Sequence, residues 1–276
     1  MVVQHNVTAM NSNRQLGITT DVQAKSSEKL SSGYRINRAA DDAAGLAISE
    51  KMRRQVRGLT QASANAQDGI SAVQTAEGAL NEVHDMLQRM NELAVKASND
   101  TLQTSDREYI QREVNALVEE IHRTGASTQF NDTNLLDGTF RHKKLQVGSE
   151  AVDTNQIEID IVKLTASGLE IDGTKVKVIG TSGVNARNSI GVIKSALEAV
   201  SSQRADLGAV QNRLEHTIKN LDNVVENTQA AESQIRDTDM AEEMVRYSNN
   251  NILAQAGQSM LAQANQTNQG VLSLLQ

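Results

Sequence analysis

The sequence predicts a mainly α-helical protein in which long antiparallel helices form a coiled-coil bundle, with a small antiparallel β-region inserted in the middle. Three observations support this prediction. The 276 residues include no Pro, the residue that breaks helix interiors at a cost of about 3 kcal/mol. Aromatic residues make up only 2%, so the core must be aliphatic. Apolar residues recur at alternating steps of three and four, which is typical of packed helices.

The N-terminal stretch predicts a helix with few charges. Apart from His5, the first ionisable side chain is Arg14, and three apolar residues before it fall at helical spacing. These are Val3, Val7 and Met10. Gly33 then predicts a break. The carboxylates of Asp41 and Asp42 suit the first turn of the next helix, where the helix dipole favours negative charge.

Two coiled-coil stripes follow. The first consists of Val73, Ala76, Leu80, Val83, Leu87, Met90 and Ala94. The second consists of Ile110, Val114, Leu117 and Ile121. Ser105 and Glu108 form an S-x-x-E pattern ahead of the second stripe, which predicts a capping box at the start of that helix.

Residues from about 141 to 180 change to a period of two, which predicts a small antiparallel β-region punctuated by glycines. Its alternating apolar residues are Leu145 and Val147, then Ile157, Ile159 and Ile161, then Val176 and Val178. Helical spacing returns with Ile193, Leu197, Val200, Leu207, Leu214, Ile218, Leu221 and Val225. A long N-terminal and a long C-terminal helix joined in this way are expected to lie antiparallel, with the two ends of the chain together.

The last thirty residues, 247–276, contain no Asp, Glu, Lys, Arg or His. A helix of this composition has no charged face to keep it soluble alone, whereas Gln, Asn and Ala tolerate burial on all sides. The pattern therefore predicts homopolymerisation through the paired termini, with fraying in the monomer. The residues expected to carry it are Val3, Val7, Met10, Leu253, Met260, Leu261, Val271, Leu272 and Leu275.

Composition and motifs argue against several other classes of function. A net charge of −7 disfavours a general nucleic-acid binder, and without Cys there is no thiol chemistry. No apolar run reaches the length of a membrane span, and the N-terminus does not resemble a standard signal peptide. The five scattered histidines form no metal motif. An acid–base dyad at Asp41 and Asp42 is disfavoured, because neighbours on a helix point about 100° apart. We expect no enzyme activity, no metal and no cofactor.

Long stretches of the chain resemble bacterial flagellin. "LSSGYRINRAADDAAGLAIS", "GLTQASANAQDGISAVQTAEGALNE", "LQRMNELAVKASND" and "TQFND" are similar to its N-terminal region, and "RDTDMAEEM" with "ILAQAGQSMLAQANQ" to its C-terminal region. The resemblance implies a flagellar filament subunit. Residues 1–42 and 236–276 would form the terminal helical inner-tube domain, and 43–235 a helical bundle containing the β-region. The short middle implies that the outer variable domains are missing.

The resemblance also implies partners. The subunit would polymerise with itself, bind an export chaperone, meet the cap and hook-junction proteins, and leave the cell unfolded through the flagellar type III apparatus. Flagellins of this type are recognised by the host receptor Toll-like receptor 5, and by position Arg89, Leu93 and Glu113 fall on the family's contact residues. No nucleic-acid or membrane partner is implied. Two alternatives stay open: a hook–filament junction protein, and a secreted coiled-coil effector.

Overall fold

The computed structural model describes residues 6–180 and 183–273, with side chains as far as Gln266. Five long helices dominate it: α1 Val7–Ser32, α2 Ala43–Ala97, α3 Thr104–Ser127, α4 Val184–Arg236 and α5 Met240–Ser273. Four short strands lie between α3 and α4: β1 Gln129–Phe130, β2 Thr133–Asn134, β3 Lys143–Gln146 and β4 Gln156–Ile159. The predicted fold class, long helices with a small antiparallel β-region in the middle, is confirmed.

The chain divides into two compact units. The first consists of residues 1–56 and 226–276, and the second of residues 57–225. Helices α2 and α4 contribute to both. This division differs from the domain boundaries that the resemblance implies, after residue 42 and before residue 236. Those boundaries lie close to the breaks between α1 and α2 and between α4 and α5, whereas the compact units divide within α2 and α4.

The core of the second unit is the aliphatic seam that the heptad pattern predicts. All seven residues of the first stripe, from Val73 to Ala94, are at most 1% exposed. They pack with the stripes of α3 and α4 and with Leu135 and Leu136 after β2. Leu117 and Leu197 lie at the edge of this core and are half-buried. Because aliphatic side chains at these steps interdigitate closely, the bundle needs no aromatic residues to exclude water.

The strands form two antiparallel pairs. Asn131 and Asp132, both with positive φ, connect β1 to β2, in agreement with the preference of two-residue hairpins for left-handed backbone. β3 pairs with β4 in the register Lys143 with Ile159 and Gln146 with Gln156. One face of this pair is buried through Ile157 and half-buried through Leu145. The predicted alternation at 145–159 is therefore confirmed.

The expected strand at Val176 and Val178 is wrong. Both side chains are fully buried, but the backbone of this segment pairs with a side chain in place of another strand. The amide of Gln111 on α3 accepts a hydrogen bond from the Val178 N–H (2.7 Å) and donates one to the Val176 carbonyl (3.2 Å). The buried amide thus satisfies the backbone groups that a neighbouring strand would otherwise satisfy.

A second glutamine does the same on the other side of the insert. Gln203 of α4, which is also buried, donates to the Asp160 carbonyl (2.9 Å) and accepts from the Val162 N–H (3.3 Å). Two helices therefore each hold one extended segment through a primary amide. This arrangement lets residues 160–180 bury apolar side chains without belonging to a sheet.

Arg107 holds three segments of the second unit together. Its side chain is 1% exposed and donates to the carbonyls of Ala97, Asn99 and Gly180, each at 3.0 Å. These carbonyls belong to the end of α2, to the loop that follows it and to the segment before α4. Since carbonyls at a helix C-terminus have no partners within the helix, one guanidinium here fixes the α2–α3 turn and the approach to α4.

In the first unit, the two helix breaks are joined. Gly33 ends α1 with φ 76° and donates its N–H to the Lys29 carbonyl (2.8 Å), as the predicted break requires. Tyr34 pairs with Asp237 in an antiparallel bridge. The Arg35 N–H donates to the Arg236 carbonyl (2.7 Å), and the Arg236 guanidinium lies 4.8 Å from the centre of the Tyr34 ring.

The starts of α2 and α3 both differ in detail from the prediction: the acidic pair lies just before α2 and outside its first turn, and α3 has a different capping box. Asp42 caps α2 by accepting a hydrogen bond from the Gly45 N–H (2.8 Å), and hydrogen bonding from the Arg38 N–H lowers the pKa of Asp41. The predicted capping box of Ser105 with Glu108 is wrong. Helix α3 begins at Thr104, and Asp106 instead accepts from the Gln103 N–H (3.1 Å).

We predict that Arg107→Met destabilises the full-length monomer by about 3 kcal/mol, because buried carbonyls lose their donors while the volume is kept. Urea denaturation monitored by circular dichroism measures this. Arg123→Met is the matched control: Arg123 is exposed and pairs only with Glu120 on its own helix, so its midpoint should barely move. Equal midpoints for the two variants would contradict the role given to Arg107.

Candidate interaction surfaces

Helices α1 and α5 pack against each other through small and polar residues. The inward side of α1 is Ala9, Ser12, Leu16, Thr19, Gln23, Ser26 and Leu30, and that of α5 is Glu243, Tyr247, Asn250, Ala254, Gly257, Leu261 and Ala264. Both sets follow steps of three and four, so the pair is a coiled coil. Among the described residues, the seam contains only three Leu, Ile, Val or Met side chains, which are Leu16, Leu30 and Leu261.

The larger apolar residues of the same helices point outward. Val7, Met10, Leu253 and Met260 are between 57% and 69% exposed. Ile18, Val22, Met244, Val245 and Ile252 are exposed as well. Along one side of the pair, a groove of about 530 Å³ is lined by Val7, Leu16, Leu253 and Met260 together with small and amide residues. A monomer therefore presents an apolar surface that its own fold does not cover.

The predicted polymerisation residues fall into three groups. Val7, Met10, Leu253 and Met260 are exposed, whereas Leu261 is half-buried in the α1–α5 seam. The side chains of Val3, Val271, Leu272 and Leu275 lie outside the described residues. The two helices thus divide their apolar residues between a seam within the chain and a surface available to another molecule.

A second surface lies where α2 and α3 run side by side. A groove of about 500 Å³ is lined by Arg89, Glu92 and Leu93 of α2 and by Tyr109 and Glu113 of α3, among others. Arg89 donates to the Glu113 carboxylate through Nε (3.0 Å) and Nη2 (2.9 Å) and to Glu92 through Nη1 (3.0 Å). Hydrogen bonding to Glu113, and then to Glu92, raises the pKa of Arg89 above its ordinary value.

The three predicted receptor residues come together at this groove, but they are not equally accessible. Arg89 and Glu113 are half-exposed and joined by an ion pair. Leu93 is only 3% exposed and belongs to the core of the unit, so it lies in the floor of the groove. The groove also contains Tyr109, a large side chain that the sequence analysis did not identify. Its ring is 63% exposed, and the Arg112 guanidinium carbon lies 5.0 Å from the ring centre.

Sequence reasoning also missed the α1–α5 seam. Of its fourteen members, eight are Ala, Ser, Thr, Asn or Gln and three are Leu, so a search for apolar periodicity does not detect this stripe. Within the described residues, no cluster of His, Asp and Glu could hold a metal ion, and no helix is long and apolar enough to cross a membrane.

These features define a class: helical proteins whose paired terminal helices leave an apolar surface exposed. The chain matches the bacterial flagellin N-terminal helical region over residues 3–141 and the C-terminal helical region over residues 190–275. It belongs to the bacterial flagellin family. It is a structural subunit of the flagellar filament, and flagellins are structural proteins of bacterial motility.

Similar proteins agree over the whole length. The flagellin of Halalkalibacterium halodurans is 55% identical over 275 residues, and the flagellar filament 31.3 kDa core protein of Treponema maltophilum is 51% identical over 287 residues; each match covers all of both chains. A Vibrio parahaemolyticus structure described as a flagellar hook-associated protein matches with a TM-score of 0.60 at 15% identity, over 71% of this chain and all of the other. That match concerns the fold alone. The full-length flagellin relatives favour a filament subunit over a hook–filament junction protein or an effector.

Proposed function

We propose that the outward apolar surface of α1 and α5 packs against neighbouring copies of the chain and forms the inner tube of the filament. One observation carries this proposal: within each subunit the two helices contact each other through small and polar residues, while Val7, Met10, Leu253 and Met260 stay exposed. Val3, Val271, Leu272 and Leu275, whose side chains lie outside the described residues, are included in the proposal on their sequence alone, and Leu261 supports the surface from the seam.

The energetics favour assembly. Burying an exposed Val, Leu or Met side chain contributes about 1.5–3 kcal/mol. Each subunit has several such exposed side chains on α1 and on α5. Every copy in a filament also has neighbours on more than one side. The amide residues between them, such as Asn11 and Gln15 in the groove, can form hydrogen bonds across the contact without the desolvation cost of a charge. The uncharged segment 247–276 thus suits burial in a polymer.

In this proposal residues 1–42 and 236–276 make the inner tube, and residues 43–235 make the next layer. The second unit, with its own aliphatic core, can fold without help from neighbours. No outer variable domain is inserted, since only about fifty residues separate α3 from α4. The filament surface would then be formed by the bundle and its β-region.

We further propose that the groove between α2 and α3 is recognised by Toll-like receptor 5. Its support is a charged, half-exposed pair, Arg89 with Glu113, set beside the exposed ring of Tyr109. Arginine and tyrosine are common centres of binding energy in protein interfaces. Leu93, being buried, would act by shaping the groove floor. Type III export, an export chaperone, and contacts with cap and hook-junction proteins complete the proposal and follow from family membership.

We predict that Val7→Asn with Leu253→Asn prevents seeded polymerisation or raises the protein concentration it requires by about tenfold or more. Both side chains are exposed in the monomer, so the helical circular dichroism should be unchanged. Turbidity and electron microscopy after adding filament seeds measure assembly. Val152→Asn, an exposed valine of the second unit, is the control and should assemble like the parent. Normal filaments from the double variant, or from a chain lacking 247–276, would contradict the assigned surface.

We predict that Arg89→Ala and Glu113→Ala each weaken binding to the receptor ectodomain by about tenfold or more, as expected for central interface residues. Surface plasmon resonance with the monomer measures this, and the thermal midpoint checks the fold. The control is Arg123→Ala, which lies on the same helix as Glu113 but outside the groove, and it should bind like the parent. Leu93 requires a paired test because it is buried: Leu93→Met keeps the volume and should bind, whereas Leu93→Ala should lose binding together with stability. Unchanged affinity in both Arg89 and Glu113 variants would refute the site.

A further inference from the structure

The methionines of this chain are distributed unevenly. Of the eight, seven have described side chains. The four that are exposed, by 47% to 68%, all lie on α1 or α5: Met10, Met240, Met244 and Met260. The other three lie on α2, where Met90 is fully buried and Met52 and Met86 are half-buried. The exposed thioethers are therefore confined to the two helices that carry the outward apolar surface.

Exposed thioethers react with peroxides. A lone pair of the Sδ atom attacks one oxygen of hydrogen peroxide, the O–O bond breaks, an S–O bond forms, and after proton transfer the second oxygen leaves as water. The sulfur loses two electrons and the peroxide gains them. The product, methionine sulfoxide, replaces an apolar side chain with a polar one. Because the reaction follows solvent access, the four exposed methionines should react ahead of Met90.

We propose that peroxide oxidation of the four exposed methionines, Met10, Met240, Met244 and Met260, controls whether a free subunit can join the filament. The inference rests on the proposed role of the α1–α5 surface in assembly. A sulfoxide oxygen is a strong hydrogen-bond acceptor, so burying it in an apolar contact is unfavourable unless a donor meets it. Met260 lines the groove with Val7, Leu16 and Leu253, whose side chains have no donor. The groove also contains amide donors such as Asn11 and Gln15, but in the proposed filament these amides form hydrogen bonds across the contact, and a sulfoxide would have to compete for them.

The same geometry makes assembly protective. Once a neighbouring copy covers the outward surface, peroxide loses access to the sulfur atoms, so the filament resists oxidation that inactivates the free subunit. Methionine sulfoxide reductase reverses the modification. Oxidised subunits that are reduced again regain the ability to assemble.

The test uses the full-length monomer. It is treated with hydrogen peroxide, the excess is removed with catalase, the sulfoxides are located by mass spectrometry, and seeded polymerisation is measured. The expected result is oxidation at Met10, Met240, Met244 and Met260 ahead of Met90, with the protein concentration required for assembly raised about tenfold or more. Treatment with methionine sulfoxide reductases should restore the parent value, and preformed filaments should show less oxidation at the four sites.

The decisive variant replaces these four methionines with leucine, which keeps the volume and cannot be oxidised. Because Met10 and Met260 belong to the proposed assembly surface, the variant is compared with itself: the protein concentration that it requires for assembly should be the same before and after peroxide. Normal assembly of a parent that carries all four sulfoxides would overturn the inference, and so would a leucine variant that assembles before peroxide and fails to assemble after it. The proposed assembly surface is judged separately by Val7→Asn with Leu253→Asn, which involves no methionine. Loss of assembly in that variant together with peroxide-resistant assembly of the parent would refute the redox site alone.

Discussion

Two helices that pack against each other can each bury only one stripe of side chains. The choice of that stripe decides which residues of the pair stay exposed. In α1 and α5 the buried stripe is small and polar, with Ser26 and Ala254 among its most covered members. Small residues allow close approach but bury little apolar area, so the pair gains modest stability by itself. Larger residues such as Val7, Leu253 and Met260 stay exposed, and the proposed assembly would stabilise the termini by covering them.

The second unit solves a different problem, since it must be stable as a monomer. Its helices bury a large aliphatic cluster and two smaller ones, and polar side chains satisfy the extended backbone that no strand pairs with. Gln111 and Gln203 pair with extended backbone, and Arg107 satisfies carbonyls from three segments. Each of these side chains is buried and hydrogen-bonded, which fixes one arrangement of the connecting segments because any other would leave buried polar groups unpaired.

The sequence predicts the features that depend on neighbouring residues, but it does not predict those that depend on contacts between distant residues. The heptad from Val73 to Ala94 and the break at Gly33 follow from local spacing and were predicted correctly. Asp42, which was expected in the first turn of the next helix, instead precedes α2 and caps it. The Val176–Val178 segment has the alternation of a strand, but its partner is a side chain more than sixty residues away, which periodicity cannot reveal. The start of α3 was placed on Ser105 because Ser105 and Glu108 match the S-x-x-E pattern, whereas the observed capping box is formed by Gln103 and Asp106, two residues earlier.

The interaction surfaces were predictable in composition and not in geometry. A charge-free C-terminus indicates burial in a polymer, but the sequence does not say that Leu261 faces α1 while Leu253 and Met260 face outward, since all three are apolar and residues 247–276 contain no charged side chain to mark a water-facing side. Likewise Arg89 and Leu93 are four residues apart and share a helix face. Only the packing of α3 against α2 makes one of them a half-exposed partner of Glu113 and the other part of the core.

The two surfaces differ in physical character, which allows them to act under different conditions. The groove between α2 and α3 depends on charges in water, whose attraction weakens as salt rises over the physiological range. The α1–α5 surface is apolar, and excluded salts such as sulfate strengthen its burial. Ionic conditions that favour the proposed assembly would therefore weaken the proposed recognition through the charged groove. Because each surface lies within its own unit of the chain, substitutions can change one chemistry without altering the other.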